Sequence, residues 1–301
     1  MKQTLVIGST VIDIIIHLKQ IPKTGDDINI SVPIYQLGGC AYNVFETLRY
    51  MESPAVLCSV VGSGIHGRMV KEKMLERGIE PLINLEEENG CCYCLVEQNG
   101  ERTFISHQGA EFIFYKSWLR NMDFSGTDSV YICGIDIEGP TGSEIVGFLN
   151  EHPNLTIYFA PGPRIMNINP GRMKKILESR GSGGKGPILH FNQLEACSYA
   201  GSKNYKKAAE IISDLTDNTV IVTLREQGCF CYDKNDKKRG VNVPGFPAKV
   251  INTTSAGDAH FGVVISELKK GKTPTEACRT ANKIAAAVTE INGVVLGKDK
   301  I

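Results

Sequence analysis

Short apolar runs rich in β-branched residues alternate along this chain with amphipathic segments of helical period. The strand-like runs are TLVIG, AVLCSVV, SVYIC, LTIYF, PILHF and TVIVTL, at 4–8, 55–61, 129–133, 155–159, 187–191 and 219–224. Helical patterns between them include 68–78 and 204–215. Strands that alternate with helices pair in parallel, and the helices cover both faces of the sheet. The order therefore predicts an α/β fold with a mainly parallel sheet.

Two regions break this alternation and predict a small antiparallel β lid. The stretch DDINISVPIYQL at 26–37 alternates apolar and polar residues, and CCYCLVEQNGERTFISHQ at 91–108 reads as a hairpin with Asn99-Gly100 at its turn. Edge strands of the main sheet are the alternative. We predict a single α/β domain with two inserted lid segments, the domain at 1–301 and the lid at approximately 15–37 and 90–108.

Composition excludes several classes of function. The 301 residues are 42% hydrophobic, enough for a large packed core. Thirty-three basic residues balance 33 acidic ones, whereas a nucleic-acid-binding surface needs a basic excess. The apolar run at the N-terminus is short and contains Asp13, so it predicts a buried strand rather than a signal peptide. No run reaches the ~18 apolar residues of a membrane span.

The ten cysteines point to a reducing compartment. Without a secretion signal and with a large core available, free thiols in the cytoplasm are expected. The cluster Cys91-Cys92-x-Cys94 lacks a second pair at zinc spacing. Cysteines of a strand, buried against the core, are therefore favoured over a metal site, which is the alternative.

The first of three glycine-rich loops is GSGGKG, at 181–186. A P-loop continues from its lysine into Ser or Thr and runs from a strand into a helix. Here Lys185 is followed by Gly186 and a strand-like run. Gly181 is predicted to be the left-handed cap of the preceding helix, 172–180. The loop is interpreted as a surface connector.

The second loop, VVGSGIHG, places Gly62, Gly64 and Gly67 in a G-x-G-x-x-G pattern between a strand and a helix. Acidic residues at 86–88 follow about twenty residues later, where a dinucleotide site has its ribose-binding acid. That fingerprint normally lies on the first βα unit, and here a complete strand precedes it. A tight strand-to-helix turn is favoured, and a nicotinamide or flavin site is the alternative.

The third loop, NTTSAGD at 252–258, has the surroundings of an anion site. KVIN at 249–252 is predicted to be a strand, and the helix after the loop would offer N–H groups and the positive end of its dipole. Asp258 falls in the first turn, where a carboxylate repels phosphate unless it takes a proton from an attacking hydroxyl. A helix acid that only complements the dipole is the alternative.

With these motifs the chain resembles the ribokinase-like carbohydrate and nucleoside kinases, the phosphofructokinase B group, over nearly its whole length. The family motif D-T-x-G-A-G-D is similar to NTTSAGD, and the family's Gly-Gly pair followed by Asn is similar to GGCAYN at 38–43. N-x-x-E resembles NQLE at 192–195, and T-L-G-x-x-G resembles TLREQG at 223–228. The glycines of VVGSGIHG also match a family turn.

The resemblance implies transfer of the γ-phosphoryl group of ATP to a primary hydroxyl of a small sugar, with Mg²⁺. It gives the catalytic base as Asp258 and the anion hole as the backbone of Ser255, Ala256 and Gly257. The substrate-binding residues would be Asp13, Gly39 and Asn43. The ATP-binding residues would be Asn192, Thr223, Gly228 and Asn282. Glu195 would bind Mg²⁺ through water, and Asp13 is expected at the carboxyl end of a strand.

The resemblance also implies partners. A sugar or nucleoside substrate is expected, without nucleic acid or membrane, in a cytoplasmic enzyme. The family's lid often forms a dimer contact, which makes the hairpin at 91–108 a candidate homodimer surface. Nucleoside phosphorylation is the first alternative function. Pseudouridine-kinase-like members also have Asn in place of the first Asp of the family motif, where this chain has Asn252. A sugar- or nucleotide-binding regulator without turnover is the second.

Departures from the family pattern concern specificity and cations. Asn252 replaces an Asp of the monovalent-cation site, which argues against potassium activation. Ser255 replaces the first Gly of the anion hole, and Val11 replaces an Asn that binds sugar in ribokinases proper. APGPR at 160–164 replaces the family's Asp-Pro-Asn-x-Arg run but keeps its arginine, Arg164. Arg164 is a candidate contact for an anionic group, and a surface salt bridge is the alternative. Asp136 and Glu138, which follow a strand, are weaker pocket candidates.

Overall fold

The computed structural model describes residues 1–98, 101–120, 122, 124–236 and 239–291. The strands in this part of the chain are β1 Gln3–Ile7, β2 Val11–Leu18, β3 Ile34–Gly38, β4 Ala55–Cys58, β5 Val60–Ser63, β6 Ile83–Glu88, β7 Cys91–Glu97, β8 Arg102–His107, β9 Thr127–Cys133, β10 Thr156–Ala160, β11 Ile188–Asn192, β12 Val220–Thr223, β13 Cys229–Tyr232 and β14 Gly240–Val243. The helices are α1 Cys40–Tyr50, α2 Gly64–Leu75, α3 Gly134–Glu138, α4 Gly142–Glu151, α5 Pro170–Glu178, α6 Gln193–Ala200, α7 Tyr205–Thr216, α8 Ala256–Lys269 and α9 Pro274–Val288. Across these residues no helix is long and apolar enough to cross a lipid bilayer.

Eight strands form the main sheet, in the order β14-β13-β12-β11-β10-β9-β1-β4. The six strands from β12 to β4 are parallel, and β13 and β14 add an antiparallel edge. The predicted mainly parallel α/β sheet is confirmed. Because the parallel strands share one direction, the segments that follow β1, β9, β11 and β12 meet along one edge of the sheet.

The core lies on both faces of this sheet. Alternate strand residues point to opposite faces, so Leu5 and Ile7 belong to one apolar cluster and Val6 to the other. The first cluster packs against α4, α5 and α7, through residues such as Phe148. The second packs against α1, α2, α8 and α9, through residues such as Phe261. Helices therefore cover both faces, as the sequence predicts.

A separate four-stranded sheet, in the order β3-β2-β7-β8, forms the lid. Its outer pairs, β2 with β3 and β7 with β8, are antiparallel, and its central pair of β2 with β7 is parallel. The hairpin predicted at 91–108 is present as β7 and β8. The Asn99-Gly100 turn lies outside the described residues.

Three strand predictions are wrong in part. The run at 55–61 is broken at Ser59, because β4 joins the main sheet whereas β5 pairs with β6 in a two-stranded sheet. Within 26–37 only the end forms a strand, β3, and the exposed stretch before it pairs with no strand in the described part of the chain. KVIN forms no strand; backbone N–H groups of Ile251 and Asn252 instead donate to the carbonyl of Thr289.

The GSGGKG loop connects α5 to β11 at the edge of the sheet where β11 begins, as expected for a connector. The cap prediction for Gly181 is wrong: its φ is −101°, and the helix already ends before Ser179. Gly181 is extended because its amide donates to the carbonyl of Lys185 across the loop, 2.8 Å away.

Candidate active site

The start of α8 has the geometry of an anion-binding site. Ser255 is the N-cap residue, with a left-handed φ of 60°, and its hydroxyl donates to the carbonyl of Thr254. The Oδ1 atom of Asn252 accepts from the amide of Thr254 at 2.8 Å, which fixes the loop before the helix. N–H groups of a first helical turn have no carbonyl partner four residues earlier within the helix. Apart from its chain neighbours and the backbone of its own helix, a Cβ added to Gly257 would meet none of the described protein atoms within 4 Å, so the space beside this turn is open.

Asp258 lies in that first turn and is held by the start of α1. The Nδ2 group of Asn43 donates to Oδ2 of Asp258 at 2.8 Å. Burial raises the pKa of Asp258 to about 6, against the hydrogen bonds from Asn43 and Cys40, and the charge of Glu195 adds to the rise. A carboxylate with a pKa near 6 is a suitable proton acceptor close to neutral pH.

Asp13 lies across the same pocket, on the lid. It is the third residue of β2, so the expectation that it ends a strand is wrong; the chain leaves β1 at Ile7 and enters the lid before reaching it. Its carboxylate lies against Gly38, where an added Cβ would be 2.1 Å from Oδ2. Burial raises the pKa of Asp13 to about 8, and the charges of Cys92 and Asp258 add to the rise.

Gly39 and Asn43 begin α1 beside these carboxylates. Gly39 has a φ of 99°, and a Cβ there would be 2.5 Å from the carbonyl oxygen of Ser9. Only glycine allows this close approach. The Oδ1 atom of Asn43 is buried and has no hydrogen-bond partner among the described residues. A buried polar atom without a partner is costly unless a ligand supplies one.

The N-x-x-E motif forms a capping box at the start of α6. Asn192 Oδ1 accepts from the amide of Glu195, and the Glu195 carboxylate accepts from the backbone and side-chain N–H groups of Asn192. Burial raises the pKa of Glu195. The motif therefore has a structural role, and its carboxylate lies near enough to Asp258 to influence that residue's ionisation.

The other predicted nucleotide residues lie beyond α6. Thr223 ends β12, and its hydroxyl donates to the carbonyl of Phe191. Gly228 has a φ of 93°, and a Cβ there would be 2.3 Å from the carbonyl oxygen of Val243. Asn282 is buried: its Nδ2 group donates to Val243 and Pro244, and its Oδ1 atom contacts a ring nitrogen of His260. Its amide is thus already paired with protein groups.

The glycines of VVGSGIHG are enclosed by backbone. A Cβ on Gly62 would be 2.4 Å from the carbonyl oxygen of Glu87, and one on Gly67 would be 2.0 Å from that of Gly62. β5, which leads into this turn, also lies outside the main sheet. Close packing therefore accounts for these glycines.

The weaker pocket candidates have protein partners. Arg164 Nε lies 3.0 Å from Glu138 Oε2 in an ion pair. Asp136 Oδ1 accepts from the amide of Ser9 at 3.0 Å, and burial raises the pKa of Asp136 to about 7. The ion pair accounts for Arg164 without a ligand.

The structure adds residues that sequence reasoning missed. Arg102 of the lid contacts the hydroxyl of Thr253, so the lid touches the loop before α8. The side chain of Cys40 lies beside Asp258 and lowers the pKa of that carboxylate. The thiols of Cys92 and Cys94 lie beside Asp13. The pairing register of β2 with β7 brings the two thiols to Asp13, and no local sequence motif specifies that register.

Comparison with known proteins agrees with the fold. The sequence matches the pfkB family of carbohydrate kinases over residues 1–145 and 187–300. It is 30% identical over 299 residues to the uncharacterized sugar kinase YegV of Escherichia coli (strain K12), covering 97% of this chain and 90% of that protein.

Two solved structures are similar in shape. Ribokinase from Thermotoga maritima superposes with a TM-score of 0.82 at 23% identity, covering 100% of this chain and 98% of that chain. A nucleoside kinase of Burkholderia thailandensis, in complex with inosine, gives a TM-score of 0.77 at 16% identity and covers 99% and 95%. At these identities the likeness concerns the fold.

An α/β sheet whose carboxyl edge carries an open helix start and a carboxylate, facing a β lid, has the architecture of a small-molecule kinase. The sequence match over most of the chain identifies the family within this class of protein. The chain belongs to the pfkB family of carbohydrate kinases and is a phosphotransferase whose acceptor is an alcohol group.

Proposed function

We propose that the enzyme transfers the γ-phosphoryl group of ATP to a hydroxymethyl group of a small sugar, with Asp258 as the general base. The observation that carries this proposal is the position of Asp258. Its carboxylate has a pKa of about 6, lies in the first turn of α8, and shares that turn with the open space at Gly257. A proton acceptor and an anion-binding helix start are thereby adjacent, as in-line transfer to a hydroxyl requires.

The acceptor would lie between the lid and the main sheet. Asp13 accepts hydrogen bonds from its hydroxyls, and the unpartnered Oδ1 of Asn43 accepts a further one. The Nδ2 group of Asn43 meanwhile orients the carboxylate of Asp258. The reacting hydroxyl donates its proton to that carboxylate as the oxygen attacks phosphorus. Gly39 lets the start of α1 approach this ligand closely.

The transferred phosphoryl group would face the start of α8. Amides of Ser255, Ala256 and Gly257, with the helix dipole, would stabilise its growing charge. The amide of Ala256 makes only a long bond of 3.3 Å, to the carbonyl of Thr253. Arg102 contacts this loop from the lid and adds a positive charge beside it.

ATP would lie along the ends of β11 and β12, towards α9. We assign its contacts to Asn192, Thr223 and Gly228, and Asn282 supports the adenine side through the β14 backbone that it holds. The carboxylate of Glu195 is half-buried and close enough to Asp258 to raise the pKa of that residue. Carboxylate oxygens are the ligands that Mg²⁺ prefers, so Glu195 suits Mg²⁺ bound through water. When bound, Mg²⁺ neutralises charge on the phosphates.

Two further proposals concern the assembly and the compartment. Tyr35, Tyr93 and Ile105 are exposed on the face of the lid sheet opposite to Asp13, in one row with the buried Ile14, and these exposed side chains support a homodimer through the lid. Light scattering of the protein, compared with a Tyr93→Lys variant, tests this contact. The ten cysteines are all free thiols, which supports a cytoplasmic enzyme.

The test of the activity is release of ADP from Mg·ATP across a panel of sugars, sugar acids and nucleosides. Turnover on a sugar supports the proposal. Turnover on nucleosides alone selects the nucleoside kinase, which the likeness to the inosine-bound structure keeps as second candidate. ATP binding with no turnover on any acceptor would contradict both candidates and favour a binding protein.

A further inference from the structure

One face of the lid sheet carries Asp13, whose charge interacts with that of Asp258, and we call it the pocket face. Two thiols lie on this face beside the Asp13 carboxylate. Asp13 on β2 is paired with Cys92 on β7, and Cys94 is the next residue of β7 on the same face. Ser106 on β8 is the partner of Cys92 on the other side, so it extends this row. The parallel pairing of β2 with β7 thus brings together three side chains that commonly bind metals.

Distances within this group suit one metal ion. Sγ of Cys92 and Sγ of Cys94 are 3.9 Å apart, and these sulfurs and an oxygen of Asp13 all lie within 4.8 Å of one another. Tetrahedral zinc with Zn–S bonds of about 2.3 Å holds its sulfur ligands roughly 3.8 Å apart. The two thiols therefore already have the spacing of two ligands on a single ion.

The surroundings fix these groups on the pocket face. Asp13 and Cys94 are buried, and Gly38 lies directly against the Asp13 carboxylate. The hydroxyl of Ser106 lies 3.5 Å from the sulfur of Cys92, towards which it donates. Sulfur ligands select soft or borderline cations such as Zn²⁺ over Mg²⁺. This site is therefore different in chemistry from the carboxylate of Glu195.

We propose that Asp13, Cys92 and Cys94 bind a thiophilic divalent cation of the Zn²⁺ type. Three protein ligands leave a fourth position for water. Since Asp13 is also the proposed acceptor ligand, the cation and the acceptor compete, and bound cation inhibits the kinase. The competition rests on the proposed function, whereas cation binding does not.

Cobalt titration tests binding without any assay of activity. Co²⁺ is added to the full chain, free of affinity tags and kept reduced, and thiolate-to-cobalt charge transfer is followed in the near ultraviolet. We expect one equivalent of Co²⁺ to develop the band and Zn²⁺ to abolish it. Cys92→Ala and Cys94→Ala should each weaken Co²⁺ binding by at least about tenfold, because each removes a ligand.

Cys91→Ala is the matched control, because Cys91 is adjacent on β7 but packs into the core on the opposite face. It should keep the band and the affinity. Asp13→Asn keeps both thiols and the side-chain shape, so it should weaken binding at least tenfold while retaining the band at saturation. This variant decides the question if a cysteine variant does not fold. A titration without charge transfer, or one unaltered in Cys92→Ala and Cys94→Ala, would overturn the site.

Kinetics then test the competition. With an acceptor identified, Zn²⁺ should raise the apparent KM for that acceptor and leave the KM for ATP unaltered, and the inhibition should disappear in Cys94→Ala. Inhibition that no acceptor concentration relieves would refute the shared use of Asp13. If no acceptor is ever phosphorylated, the proposed function fails, and the cobalt titration still decides whether the metal site exists.

Discussion

Two glycine-containing turns that both lead into a helix have opposite surroundings. In the turn at 60–67, Gly62 and Gly67 lie so close to neighbouring carbonyl oxygens that no side chain fits. In the loop at 252–258, a Cβ added to Gly257 would meet none of the described atoms within 4 Å outside its chain neighbours and its own helix backbone. Glycine is needed for packing in the first case and leaves room for a ligand in the second.

The GSGGKG loop sharpens this lesson. Gly183 and Gly184 also face open space, with φ values of 70° and 72°. They lie where β11 begins, however, at the edge of the sheet opposite to Asn192. Open space supports an anion site only when a helix starts there and its N–H groups point into it. A glycine count alone would have selected the wrong loop.

The largest expected effect comes from the acid that distinguishes the loop at 252–258. Asp258→Asn should lower kcat by about 10² to 10⁴, because the reacting hydroxyl loses its proton acceptor. ATP binding should persist. Steady-state ADP release and calorimetric ATP titration measure the two quantities.

Glu276→Gln is the matched control, since Glu276 is also an acid in the first turn of a helix, α9. If acids at helix starts served only the dipole, both variants would lose a little stability and retain activity. Equal turnover in Asp258→Asn and Glu276→Gln would therefore reject the general base.

Exchanging glycine for alanine should separate the two turns. Gly67→Ala forces a Cβ against a carbonyl oxygen and should destabilise the protein by roughly 1–3 kcal/mol. Gly257→Ala gains helix propensity and should unfold no more easily. Its methyl group intrudes on the anion site, so kcat/KM should fall at least about tenfold.

Chemical denaturation and ADP release on the same two preparations give both quantities. The opposite pattern, an unstable Gly257→Ala and an inactive but stable Gly67→Ala, would reverse the roles of the turns.

The pH dependence should show the ionisation of Asp258. Its pKa is raised to about 6, and the base must be deprotonated to act, so kcat/KM should rise with pH up to about 6 as Asp258 loses its proton. Below pH 6 the expected slope is about tenfold per unit. A profile that stays flat down to pH 5 would exclude Asp258 as the base.

The smallest effect concerns backbone strain at the two helix starts. Ser255 has a φ of 60° and Gly64 a φ of 76°. A left-handed conformation costs a non-glycine residue about 1–2 kcal/mol, and the entropy of glycine offsets about 0.5–1 kcal/mol. Ser255→Gly should therefore stabilise the protein by about 0.5–1 kcal/mol with activity retained, and Gly64→Ser should destabilise it by a similar amount. Thermal unfolding distinguishes these results from an equal effect at both positions.

Local pattern sufficed for most of the main sheet. Runs such as 129–133 and 219–224 are buried on both faces, and burial on both faces requires continuous apolar sequence. It failed where pairing decides the structure. KVIN has the residues of a strand, yet it pairs with no strand among the residues that the structure describes, and two of its amides donate instead to the carbonyl of Thr289 at the end of α9.

The sequence by itself indicated the alternation of strands and helices in most of the main sheet, the hairpin at 91–108 and the motif around Asp258, because each depends on residues close together in the chain. Only the tertiary structure decided which glycines face open space and that two cysteines lie beside Asp13. These are consequences of strand register and of contacts between segments distant in sequence. A shift of one residue between β2 and β7 would move the thiols to the other face of the lid.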